Sequence, residues 1–154
     1  MVRCFSVSGA ALAAGLVLAL ASPARADCYP FEATGIGVTV STHGNEATDV
    51  VEGTGTGLGD WTEVADRVTH GTKVQISTTM TAADGDLLFL DIEGTEGADG
   101  FSGTYTITGG TGRFEGATGS GSNTATSNPD GSFTQGLRST DRPYCSRQLD
   151  LVNG

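Results

Sequence analysis

The sequence predicts an all-β domain: an antiparallel eight-stranded barrel, with a ninth strand-like run near the C-terminus. Three observations carry this. Apolar and polar residues alternate with a period of two through most of the chain, as in half-buried strands. Glycine sits beside Asp, Asn, His or another glycine at regular intervals, the chemistry of tight turns. No stretch after Ala26 holds a helical period of 3.6.

The runs follow in order. From Thr34, Ile36, Val38 and Val40 face one side and Gly35, Gly37 and Thr39 the other. Val74, Ile76 and Met80 alternate with Lys73, Gln75, Ser77 and Thr79, and Tyr105 and Ile107 with Thr104, Thr106 and Thr108. Trp61 to Val68 comes nearest to a helix, but its Thr and Val content suits a strand. Between the runs lie His43-Gly44-Asn45, His70-Gly71, Asp84-Gly85-Asp86, Asp99-Gly100, Gly109-Gly110 and Asn128-Pro129-Asp130-Gly131. The strands are expected at 33–42, 47–57, 61–69, 72–81, 86–96, 102–109, 113–124 and 131–140, with the ninth run at 144–152. Gly53, Gly55, Gly57 and Gly59 read as strand glycines where neighbouring strands approach closely.

The chain has 154 residues, 8 basic against 18 acidic side chains, and 24 glycines. This length accommodates one domain. Its acidity argues against nucleic acid and anionic membrane surfaces as partners, since it repels both. The N-terminus reads as an address: Arg3, an apolar run from Ala10 to Ala21, a Ser22-Pro23 break, and Ala24-Arg25-Ala26 as a cleavage pattern. The expected organisation is therefore a signal peptide over 1–26 and a single barrel domain over 27–154, with a secreted or otherwise extracytoplasmic protein. The apolar run is too short for a membrane span.

Export removes Cys4 and leaves Cys28 and Cys145, an even pair in an oxidising compartment. A disulfide between them requires the two ends of the domain to be neighbours, as a closed barrel allows. Two cysteines and two histidines without close spacing make no metal set, and no cofactor is expected.

The segment Gly103-Thr-Tyr-Thr-Ile-Thr-Gly-Gly-Thr-Gly-Arg-Phe-Glu-Gly-Ala-Thr-Gly119 resembles the allene oxide cyclase and dirigent-like barrel superfamily. There a strand ends in Gly-Gly-Thr-Gly, an aromatic follows, and the next strand opens with Gly-Ala-x-Gly. The Ala83 to Leu87 turn and the Ser127 to Phe133 hairpin fit the same layout. The resemblance implies an eight-stranded antiparallel barrel and, from its plant members, a homotrimer. Gly109, Gly110 and Gly112 would allow positive φ at the turn, and Phe114 would plug one barrel end. Around Tyr29-Pro30-Phe31 the Asn and Gly-Asp residues of the cyclases are missing, so no catalytic residue carries over.

Other motifs favour structural readings. Gly53-Thr-Gly-Thr-Gly-Leu-Gly59 lacks phosphate-loop spacing and a following Lys-Ser/Thr. No Gly-x-Ser-x-Gly elbow occurs. His43 and His70 read as turn residues, and Asp84 and Asp86 as a hairpin tip short of the ligands for calcium. The strand Leu87-Leu-Phe-Leu-Asp-Ile-Glu93 offers two registers. With Leu88, Leu90 and Ile92 inward, Asp91 and Glu93 are solvated; with Leu87 and Phe89 inward, the two acids enter the barrel as acid–base candidates.

The leading expectation is a non-catalytic barrel holding a small apolar ligand against Val38, Ile76, Leu88, Leu90, Ile107 and Phe114. One alternative is a cofactor-free cyclase or isomerase using Asp91 or Glu93. The other is a structural or surface-assembly protein, with a filled interior and an exposed apolar outer wall.

Overall fold

The computed structural model describes residues 26–140 and 144–147. Apart from Ala26, the expected signal peptide lies outside them, as do Cys4 and the last residues of the expected ninth run. Ten strands form: β1 (Ala26–Tyr29), β2 (Glu32–His43), β3 (Glu46–Gly55), β4 (Gly59–His70), β5 (Lys73–Ala82), β6 (Leu87–Gly97), β7 (Gly100–Gly110), β8 (Gly119–Ser127), β9 (Phe133–Ser139) and β10 (Tyr144–Arg147). β2 to β9 close into an antiparallel barrel in sequence order, and β1 pairs only with β10.

Closure comes from β2 pairing with β9 over Glu32–Gly37 and Phe133–Arg138. The Cys28–Cys145 disulfide joins directly opposed residues of the separate β1–β10 ribbon, across 117 positions of sequence. The disulfide thus clamps the chain ends, while hydrogen bonds between β2 and β9 close the barrel. Its presence fits an oxidising compartment.

Local chemistry explains the turns. Gly44 and Gly71 adopt left-handed φ of 65° in the short connections after β2 and β4, which a Cβ would strain. Between β8 and β9 the Asn128 amide N–H donates to the Ser132 carbonyl, and the Asp130 carboxylate accepts from the Ser132 amide and hydroxyl. Gly57, expected within a strand, lies in the β3–β4 turn instead, with Leu58 buried beside it, and Gly59 opens β4 with φ of 70°. The run expected at 113–124 is a strand only from Gly119, because Gly112–Phe114 winds into a 3-10 turn.

That turn builds the plug. Gly112 takes φ of 55° with the Asp86 carboxylate packed against it, and Asp86 accepts the Arg113 amide N–H at 3.0 Å. Asp84 pairs with the Arg113 guanidinium at 3.2 Å. Both hairpin-tip acids are thereby committed to holding the turn. Phe114 is driven inward, joining Phe31, Leu58, Leu88 and Ala117 in the core. Gly110, unlike Gly109 and Gly112, has negative φ; a Cβ there would meet the Leu87 carbonyl and Phe114.

Candidate functional site

The two halves of the barrel interior differ. At the end carrying the 3-10 turn, large apolar side chains fill the space, with Leu90, Ile107 and Tyr105 continuing to mid-height. Toward the end formed by the turns after β2, β4, β6 and β8 lies a cavity of about 260 Å³. Val51, Ala65, Val74, Ile76, Ile92, Phe101 and Phe133 give it apolar walls, and Asp49, Glu63, Asn123 and Gln135 are its buried polar residues.

Glu63 is placed by β4, where Trp61, Glu63 and Ala65 alternate inward. Its side chain accepts the Thr78 hydroxyl of β5 at 2.7 Å and the Gln135 amide of β9 at 3.2 Å. Burial pushes the carboxyl up from 4.5 to about 7, against those two hydrogen bonds, and the Asp49 carboxylate adds to the rise. Removal from water disfavours the charged form more than the donors favour it. Glu63 therefore changes protonation state near neutrality, the range suited to acid–base work.

Nearer the mouth, Asp49 accepts the Thr39 hydroxyl and pairs with Arg67 at 3.0 Å. Glu96 lies 3.9 Å from the same guanidinium. Asn123 on β8 is only 2% exposed, and its amide nitrogen has no hydrogen-bond partner among the described residues.

The sequence candidates are distributed otherwise. Asp91 and Glu93 face solvent and accept from Ser77 at 3.1 Å and Gln75 at 3.4 Å, because Leu88, Leu90 and Ile92 take the inward positions of β6. They are corrected as acid–base candidates: the inward carboxyls are Glu63 and Asp49. Ile76 lines the cavity. Leu88, Leu90, Ile107 and Phe114 are buried in the packed core and do not line it.

Val38 is also corrected: it points outward and is 44% exposed. The cause is aromatic bulk. Gly35 and Gly37 face inward because Trp61 and Phe133 occupy the space their Cβ atoms would need, so the apolar partners in the alternation turn outward. Val38, Val50 and Val64 pair across β2, β3 and β4, and with Ile36 and Val40 they form an aliphatic stripe on the outer wall.

His43 and His70 end their strands in exposed turns away from Glu63. No group of His, Cys, Asp or Glu suited to a metal ion occurs among the described residues, and none of their helices is long and apolar enough to cross a membrane. No family model, no curated protein and no solved structure matches the chain. The fold and the cavity are the ground on which function is argued.

Proposed function

We propose that this is an exported binding protein that holds a small molecule in the open half of its barrel. The observation that carries the reading is the cavity of about 260 Å³, with apolar walls and buried polar groups, above a plugged and packed lower half. A void of about 150 Å³ already admits benzene in a well-packed protein, so a molecule of one ring and a short substituent suits this volume. The disulfide and the N-terminal sequence pattern support export. Kinship with allene oxide cyclase and dirigent-like barrels is proposed with it, supported by the strand count and by the glycine-rich turn that seats Phe114.

Native mass spectrometry of protein purified from its own host tests the binding reading. A retained small molecule, lost on denaturation, is the expected result. A bare chain that also fails to take up a solvatochromic apolar probe overturns it.

Two further readings each have one observation behind them. A carboxylate-only isomerase or cyclase is favoured by Glu63, which replaces Asp91 and Glu93 as the acid–base group; Glu63→Gln would abolish turnover. Self-association is favoured by the outer stripe, where Ile36 is 59% and Val40 57% exposed. Sedimentation of the native chain beside Val64→Glu tests it, with an oligomer dissolved by the charge as the expected result.

A further inference from the structure

The buried polar pattern of the cavity would go unmet by a purely apolar ligand. Asn123 lines the cavity, and its amide nitrogen is buried and lacks a partner among the described residues. A buried N–H in that state has lost its water without gaining a partner, a loss that an incoming oxygen acceptor recovers. Beside it the arrangement changes sign. Ala125 pairs with Gln135 and Asn123 with Leu137, so Asn123 and Gln135 are diagonal neighbours on one face. Gln135 in turn donates to one Glu63 oxygen, and Thr78 to the other. Above about pH 7 Glu63 is ionised, and an ionised carboxylate accepts at about four sites, so it retains capacity for a ligand donor.

Charge narrows the class further. Among the described lining residues the only Lys or Arg is Arg67, and it is held by Asp49 and Glu96. Glu63 and Asp49 add negative charge below the mouth. A ligand carboxylate would meet these acids with no unengaged cation to balance it.

We propose that the cavity selects uncharged carboxamides and lactams over carboxylic acids and hydrocarbons of the same shape. The ligand carbonyl accepts from Asn123, its N–H donates to Glu63, and its apolar body packs against Ile76, Ile92 and Phe133. This rests on the binding-protein reading above.

The test compares cyclohexanecarboxamide, cyclohexanecarboxylate and methylcyclohexane on the full exported chain at pH 8, where Glu63 is ionised. Affinity is read from the Ile76 and Ile92 methyl resonances. The carboxamide is expected to bind at least about tenfold tighter than either other probe, within the range for one recovered buried hydrogen bond. Asn123→Leu should remove that advantage. A carboxylate that binds as tightly as the carboxamide overturns the proposal, as does an Asn123→Leu chain that keeps the carboxamide preference. If methylcyclohexane matches the carboxamide, the polar selection falls and the binding reading stands. If no probe shifts either methyl, both fall. The three-probe comparison needs no variant, so it decides the matter even where Asn123→Leu does not fold.

Discussion

Substituting adjacent residues of β2 tests which face of that strand the barrel encloses. A Cβ on Gly37 would overlap the Phe133 ring and come within 2.9 Å of a Val51 methyl. Phe133 borders the cavity and its ring can yield toward it, so Gly37→Ala should cost about 1–2 kcal/mol, in the lower part of the overpacking range. A Cβ on Gly35 would lie 2.8 Å from the Glu52 carbonyl, the Trp61 ring and a Val51 methyl. A backbone carbonyl within the β2–β3 pairing yields less, so Gly35→Ala should cost more, about 3 kcal/mol. Val38→Thr, on the outer face, should stay within about 0.5 kcal/mol of the parent. Urea unfolding followed by fluorescence of the lone tryptophan, Trp61, measures all three. A harmless or stabilising Gly37→Ala together with a Val38→Thr loss above about 1 kcal/mol, the mark of a newly buried hydroxyl, would refute the assigned face.

Three other substitutions extend the reasoning. Between 4.5 and about 7 the unfolded chain has released the Glu63 proton while the native protein keeps it. Native stability therefore falls as pH rises through that window, by about 3 kcal/mol in all. Glu63→Gln should remove this slope, so the difference between its unfolding free energy and the parent's grows from pH 4.5 to 8; a flat difference would count against burial of the carboxyl. Tyr105→Phe deletes a buried hydroxyl with no partner among the described residues and should be neutral or raise stability by about 1 kcal/mol in thermal unfolding; a loss above that would reveal a partner. Replacing both Cys28 and Cys145 by serine should cost about 2–5 kcal/mol. Slow amide exchange along β2 and β9 should survive it, because their own pairing closes the barrel.

Much of this architecture is legible in the sequence, and where legibility fails the reasons are physical. The eight barrel strands follow from period-two alternation and glycine-bearing turns, and the inward set Leu88, Leu90 and Ile92 is one of the two registers that the β6 sequence offers. Alternation alone cannot say which face is inside. In β2 it favours Ile36, Val38 and Val40, yet Trp61 and Phe133 fill the barrel so fully that only glycine fits opposite them. In β4 both faces carry an acid, Glu63 and Asp66, and only the bulk of Trp61 two positions earlier marks the side on which Glu63 is enclosed. Asp49 is hidden similarly, since Val50 and Val51 make both faces of β3 apolar at that point. The β1–β10 ribbon is too short for a periodic signal; the cysteine pair was its trace, and it said that the ends meet without saying where.

The enclosed Glu63 carboxyl is the hinge of the functional argument, and carbon-detected NMR titration of its side-chain carboxyl reaches it directly. A midpoint near 7 is expected from its burial between Thr78, Gln135 and the cavity. A midpoint near 4.5, the value of a glutamate carboxyl in water, would place Glu63 in solvent and remove both the polar floor of the cavity and the ligand class drawn from it.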